Sequence, residues 1–275
     1  MRVGFLGPAG TFTEEALRAS ASGSVEEVPY PSVYETVMAV HLGEVERAVV
    51  PIENSVEGSV TATLDALAGE AEDVRISAEV VRPVRQCLIA RTELDLDEVR
   101  VVVSHPQATA QCEGFLRERL PEAARHSVGS TAEAVRIVAD RPDPWAALGS
   151  RLAAELYGCA VLAEGVEDHA ANRTRFVWLA PRTAPTPANA AKTSVVFWGS
   201  GDQSPGALVA VLREFADRGI NLTKIESRPR QAGLGHYMFF ADLEGGEDDE
   251  AVTAALGAVR ERVETLRVLG SYPIG

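Results

Sequence analysis

Four stretches of this 275-residue chain set reactive or ligand-contacting side chains directly beside apolar runs. In Val50-Pro51-Ile52-Glu53-Asn54-Ser55 a carboxylate and an amide follow a buried-strand pattern. Loss of solvent there would raise the carboxylate pKa and let Glu53 hold a proton. The alternative is ordinary loop polarity. In Asn172-Arg173-Thr174-Arg175-Phe176 a hydroxyl stands at the mouth of a strand over 176–179. Aimed into a cleft, Thr174 could donate to a leaving oxygen; otherwise it is an exposed strand residue. Ser104 and Gln111 are seven residues apart, two helical turns, and so lie near one face of a helix opening at 104–107. Ser104 also suits the structural role of N-cap. Gln111 is harder to explain structurally, since its neighbours Cys112 and Phe115 read as buried. The fourth stretch is Gly4-Phe5-Leu6-Gly7-Pro8-Ala9-Gly10-Thr11. It is neither Gly-x-Gly-x-x-Gly nor a Walker loop. It is either a tight strand-to-helix turn or a cradle of backbone N–H groups for a carboxylate, helped by the helix dipole.

What is missing narrows the chemistry. Cys87, Cys112 and Cys159 form no CxxC pair and have no histidine at ligand spacing, so neither a zinc site nor a disulfide framework is expected. They read as small buried apolar residues. No Ser/His/Asp constellation stands out either. No metal and no cofactor are expected. The formal charge of -14 argues against a nucleic-acid binder, whose affinity needs clustered Lys and Arg. It also means that an anionic substrate must find positive potential locally, at helix N-termini, backbone N–H groups or a few arginines.

The elements that would position these groups alternate strand and helix. Val3–Leu6, Ala48–Ile52 and Val101–Val103 are continuous apolar runs. Thr11 with Glu14, Ser32 with Glu35 and Ser130 with Glu133 have the spacing of capping boxes. This pattern indicates mostly parallel α/β sheets covered on both faces, with ligands beyond the carboxyl ends of strands. The junctions at 7–13, 53–59 and 104–107 then converge on a common polar cleft. The proline-bearing segment 181–191 reads as an exposed linker between a domain over 1–180 and a second over 192–275. The second reads β-α-β-β-α-β, the ferredoxin-like order, with Leu208, Val211, Leu212 and Phe215 on one helix face. No apolar run approaches the ~20 residues that span a bilayer, and the N-terminus reads as a strand instead of a signal peptide. The expected address is cytoplasmic, without membrane contact.

Taken together, Gly7-Pro8-Ala9-Gly10-Thr11-Phe12-Thr13, Val50 to Ser55, Ser104-His105-Pro106-Gln107 with Gln111-Cys112, and Asn172 with Thr174-Arg175-Phe176 resemble the prephenate dehydratase family, in the family's order. The C-terminal part resembles an ACT domain through Gly206-Ala207-Leu208 and Asn221-Leu222-Thr223-Lys224-Ile225-Glu226-Ser227-Arg228-Pro229. The resemblance implies a two-lobed catalytic domain like type II periplasmic binding proteins. It implies decarboxylating dehydration of prephenate to phenylpyruvate, with Thr174 essential and Glu53, Asn54, Ser104 and Gln111 lining the site. Gly10, Thr11, Arg175 and Phe176 are expected to bind substrate. For the ACT domain it implies L-phenylalanine as effector, held by Gly206, Ala207, Leu208, Asn221, Leu222, Glu226, Ser227, Arg228 and Pro229, and pairing into a homodimer or homotetramer. Two alternatives stay open at this point: a non-enzymatic amino-acid or anion binder, and the same chemistry on the aminated substrate arogenate.

Overall fold

Polar caps set where four of the helices begin. Thr11, Ser32, Ser130 and Ser150 each accept a hydrogen bond from the backbone N–H three residues on, satisfying a donor the helix itself cannot. A computed structural model describes residues 1–201, 204–230 and 235–275. In chain order the first lobe contains β1 (Arg2–Leu6), α1 (Phe12–Ser20), β2 (Glu26–Tyr30), α2 (Val33–His41), β3 (Arg47–Asn54), β4 (Gly58–Ser59), α3 (Thr61–Ala68) and β5 (Val74–Pro83). The chain then crosses to a second lobe of β6 (Cys87–Ala90), β7 (Val101–Ser104), α4 (Pro106–Gln111), α5 (Glu113–Arg119), β8 (Ala124–Ser127), α6 (Thr131–Ala139), β9 (Trp145–Gly149), α7 (Arg151–Tyr157) and β10 (Ala160–Glu164). It returns through β11 (Arg173–Pro181), which inserts between β3 and β5. The C-terminal domain is β12 (Lys192–Trp198), α8 (Ala207–Ala216), β13 (Leu222–Pro229), β14 (Tyr237–Glu244), α9 (Glu250–Arg260) and β15 (Thr265–Tyr272).

Both lobes have mixed sheets, where mostly parallel ones were expected. β1 pairs in parallel with β2 and β3, but β11 runs antiparallel to β3 and β5. In the second lobe β7 is parallel to β8 and β9, while β6 runs against β9 and β10. The double crossing is the cause, because a chain that leaves a sheet and returns from another lobe re-enters it from the opposite end. Each lobe has its own apolar core. Val3, Leu17, Val49 and Phe176 lie on the α1 side of the first, and Leu88, Val102, Leu116 and Leu148 in the second.

The C-terminal sheet has two buried faces. Val195, Phe197, Ala241 and Leu243 pack on Val211 and Phe215 of α8 and Val252 and Leu256 of α9. The opposite face, with Val196, Phe240, Leu269 and Tyr272, joins the core that contains Val177, Leu179, Leu64 and Ile76 of the first lobe. At this seam β15 pairs with β5, so the strand order runs β13-β14-β12-β15-β5-β11-β3-β1-β2 as one sheet. Gly270 makes the splice possible: a Cβ there would lie 2.2 Å from the Ile76 carbonyl oxygen. The segment between β11 and β12, expected to be an exposed spacer, is pinned. Arg182 donates to the carbonyls of Glu72, Val74 and Val268, and Arg75 to Thr186 Oγ1.

Candidate active site

Strand parity decides which of the expected residues reach the cleft. β11 pairs with β3 in the register Thr174 to Asn54 and Arg175 to Glu53. Successive strand residues point to opposite faces, so Thr174 and Phe176 face the space between the lobes and Arg175 faces away. On β3 the register slips by one residue between Glu53 and Pro51. A bulge of this kind re-aims the side chains beyond it, and here Pro51 and Asn54, three apart, both line the cleft. The cleft encloses about 410 Å³, within the range of small-ligand sites. Its walls come from the first lobe (Thr11, Phe12, Thr13, Asn54, Thr174, Phe176) and the second (Gln86, His105, Gln107, Gln111, Ser130, Thr131).

A chain of amides fixes the orientation of the Thr174 hydroxyl. Asn54 Oδ1 accepts from the backbone N–H groups of Val56 and Glu57, at 2.9 and 3.0 Å. Backbone N–H groups only donate, so the Asn54 amide cannot be turned round, and its Nδ2 must face Thr174. That nitrogen donates to Thr174 Oγ1 at 2.9 Å and to Asn172 Oδ1 at 2.9 Å. Asn172 Nδ2 donates to Gln111 Oε1 at 3.1 Å, and Gln111 Nε2 to Glu57 Oε1 at 3.2 Å. Gln111 comes from the second lobe, so the relay ties the lobes together across the cleft mouth. Thr174 Oγ1 is thus an acceptor toward the protein. Its proton is left to donate into the cleft.

Among the described residues no Asp, Glu, Lys or Arg lines the cleft. Positive potential comes from the starts of α1, α4 and α6, whose first residues Phe12, Thr13, Gln107 and Thr131 line the cleft, so the positive ends of these helices border it. An anion held this way meets dipoles and hydroxyls in place of a full counter-charge.

Several expected positions lie elsewhere. Glu53 turns to the C-terminal domain, where its Oε2 is 3.3 Å from Arg175 Nε and 3.6 Å from Lys224 Nζ. Arg175 is buried beside it, with Nη1 2.7 Å from Asp242 Oδ2 and 3.3 Å from Glu79 Oε2. Burial, the largest single influence, would by itself lower the guanidinium pKa, but the groups around it, Asp242 foremost and with Tyr272 and Glu53, together outweigh it and hold it above its ordinary value. Neither side chain lines the cleft. Ser104 is fully buried at the end of β7 and donates to the Leu148 carbonyl at 3.0 Å, while His105 takes the N-cap of α4. The glycine turn is no free N–H cradle. The Gly7 N–H donates to the Tyr30 carbonyl and the Gly10 N–H to Glu14 Oε2 at 2.6 Å. Gly10 docks instead on the second lobe, accepting from Ser150 Oγ at 2.6 Å, and a Cβ on it would meet Ala153 Cβ at 2.8 Å. Thr11 does line the cleft while its Oγ1 donates to the Leu6 carbonyl.

Gln86 escaped the sequence reading. It is 2% exposed, lines the cleft, and has its backbone held by Glu167 Oε2 and the Val166 N–H. Its side-chain carbonyl has no hydrogen-bond partner. The available signal was a lone glutamine, between Arg85 and Cys87, entering an apolar strand. Cys87 and Cys112 are buried, and burial pushes the Cys112 thiol up to about 12 and that of Cys87 up to about 11, while Cys159 is half-buried. Among the described residues no group of His, Cys, Asp and Glu could hold a metal ion, and no helix is long and apolar enough to cross a membrane.

In the C-terminal domain Gly206, Ala207 and Leu208 line a small pocket of about 200 Å³ with Tyr237 and Phe239. The other expected effector segment, β13, does not join it. Its alternate residues Lys224, Glu226 and Arg228 face the first lobe. Glu226 meets Ser59, and Arg228 grips Asp65 through Nε at 2.9 Å and Nη2 at 2.7 Å. Ser227 and Pro229 lie on the exposed face, and Asn221 precedes the strand, exposed, while Leu222 is half-buried.

A twice-crossed pair of α/β lobes with a cleft between them, followed by a βαββαβ domain, defines a type II periplasmic-binding-protein-like domain with an appended ferredoxin-like one. Residues 3–184 match the family model for prephenate dehydratase and residues 193–261 that for the ACT domain, and the chain belongs to the prephenate dehydratase family. It is 44% identical to a prephenate dehydratase of Mycobacterium tuberculosis (strain H37Rv) over 286 aligned positions, covering 100% of this chain and 88% of the relative. A crystal structure of prephenate dehydratase from Arthrobacter aurescens in complex with L-Phe superposes with a TM-score of 0.91 at 39% identity, covering 99% of this chain and 90% of that one. GqqA, described as a novel type of quorum quenching acylase, superposes at 0.89 with 30% identity, covering 100% and 98%.

Proposed function

We propose that the chain converts prephenate to phenylpyruvate, carbon dioxide and water, and that its ACT domain responds to L-phenylalanine. Prephenate carries two carboxylates and a ring hydroxyl. The C–C electron pair of the ring carboxylate moves into the ring as carbon dioxide leaves, and the C–O pair departs with the hydroxyl. Aromatisation drives the reaction, so no strong base, nucleophile or metal is required. What the site must do is hold the dianion, ease the departure of hydroxide and avoid over-stabilising the carboxylate that is lost.

The observation that carries this reading is the Thr174 hydroxyl, whose acceptor role is filled by Asn54 and whose proton is therefore free for the departing oxygen. The hydroxide completes to water with a proton from solvent. Glu53, ion-paired on the far face of β3, is not the source. The uncharged cleft fits the rest: helix N-termini and the amides of Gln86, Gln107 and Gln111 orient the carboxylates without fixing either by a salt bridge. Pairing into a homodimer or homotetramer is supported by β13, which is the free edge of its sheet with Ile225 exposed on it.

The test is ultraviolet detection of phenylpyruvate from prephenate, beside chromatographic detection of phenylalanine from arogenate, with the purified chain. Prephenate is expected to be converted and arogenate to react far more slowly; no phenylpyruvate from prephenate would refute the reading. Light scattering checks the pairing.

A further inference from the structure

Thr174 and Arg175 are neighbours on β11 with opposite surroundings. Thr174 faces the cleft. Arg175 faces the ACT domain and meets Asp242 of β14, Glu79 of β5 and Glu53 of β3. Lys192 of β12 closes on Glu79 at 2.6 Å, and Lys224 of β13 lies 3.6 Å from Glu53. Both strands that supply the cleft pair, β3 with Asn54 and β11 with Thr174, are therefore gripped from behind by the ACT strands. The cluster sets Arg175, Lys192 and Lys224 against Glu53, Glu79 and Asp242, with Glu226 also 3.7 Å from Lys224. Apart from Glu53 and Glu226, each side chain is no more than 11% exposed, so salt screens these charges little.

Each cation of the cluster meets a carboxylate, yet its hydrogen bonds are incomplete. Arg175 Nε and Nη2 and Asp242 Oδ2 have no aligned partner, although Nη1 and Oδ2 stand 2.7 Å apart. The contact is Coulombic more than directional, so it can shift without breaking aligned bonds. Asp242 itself is anchored in the ACT core, accepting from Ser194 Oγ at 2.5 Å, and Ser194 Oγ lies 2.6 Å from the Tyr272 hydroxyl.

We propose that Arg175 is a positioning residue through which the ACT domain, by way of Asp242, sets the alignment of Thr174 in the cleft. The proposal rests on the reading of L-phenylalanine as effector. An effector acts only through interactions that differ between two states. A displacement of β14 or β13 moves the carboxylate and ammonium groups around Arg175, and Arg175 is one peptide unit, about 3.8 Å between Cα atoms, from Thr174. The helix-free face of the ACT sheet is packed directly on this region, so no separate relay is needed.

The test uses the full chain and Asp242→Asn, which keeps the shape and the Ser194 hydrogen bond and removes the charge. L-phenylalanine binding is measured by calorimetry, and prephenate turnover with and without saturating L-phenylalanine. The expected result is effector affinity within about threefold of the unaltered chain, while the ratio of turnover without and with effector shrinks by about fivefold or more, the lower end of measured allosteric couplings. The change is expected in kcat, with KM little moved. Lys192→Met, which frees Glu79 from the ACT side, is expected to act in the same direction and serves if Asp242→Asn does not fold. Normal effector response in a variant that still binds L-phenylalanine would overturn the proposal. An unaltered chain that turns over prephenate but ignores L-phenylalanine would overturn the effector reading, and this inference with it.

Discussion

Asn54 Nδ2 donates to Thr174 Oγ1 at 2.9 Å across directly paired positions of β3 and β11. Two backbone donors on Asn54 Oδ1 impose that direction, so the threonine proton is committed to the cleft. Asn54→Asp reverses the bond, because a carboxylate can only accept, and it adds a charge to an uncharged wall. Turnover of prephenate is expected to fall by about 10²-fold or more, the scale of lost proton-donor assistance. Near-normal kcat in a folded Asn54→Asp chain would show that the Thr174 proton is not used.

Gln86 lines the cleft with an unpartnered side-chain carbonyl. Gln86→Glu puts a negative charge beside the dianion with no Lys or Arg among the described lining residues to offset it. A rise in KM of about tenfold or more is expected, since each 1.4 kcal/mol is a factor of ten, with kcat changed less. Steady-state kinetics at fixed ionic strength measure it, and an unchanged KM removes Gln86 from substrate contact.

Gly10 has φ of +92° and stands against α7 of the second lobe. Gly10→Ala combines an unfavourable backbone conformation with a clash at Ala153. A loss of about 1–3 kcal/mol in stability is expected from the backbone alone, read by denaturant unfolding. Unchanged stability would mean that the lobes do not meet at this turn.

The thiols of Cys87 and Cys112 are pushed up to about 11 and about 12 by burial. An acid with a raised pKa stays protonated longer as pH rises, so at pH 8 only about one Cys112 in 10⁴ is thiolate. Iodoacetamide at pH 8 is expected to leave both residues unmodified and activity intact in the native chain, and to label both in denaturant. Rapid native labelling with loss of activity would contradict this.

Much of the fold was legible. The capping spacings at Thr11, Ser32 and Ser130 start helices where expected, because a side-chain oxygen three residues before an acidic residue satisfies a specific orphan donor. The βαββαβ order followed from helical and alternating periods. The site was legible as a set of neighbourhoods but not as a set of directions. The motifs set Glu53 with Asn54, and Thr174 with Arg175 and Phe176, together at one cleft. Adjacent strand residues cannot both face it, and alternation could have separated them. Which member faces inward depended on the β3–β11 register and its bulge, both fixed by long-range pairing. Gly10 and Ser104 were misplaced for a related reason: their partners, Ser150 and Leu148, come from distant segments that local spacing does not reveal.

The most direct measurement is the kinetics of Thr174→Ala on prephenate. If the hydroxyl assists departure of the ring oxygen, kcat falls by about 10²-fold or more while KM stays within a few-fold of the unaltered chain. A raised KM with kcat preserved would instead make Thr174 a binding group and contradict the mechanism.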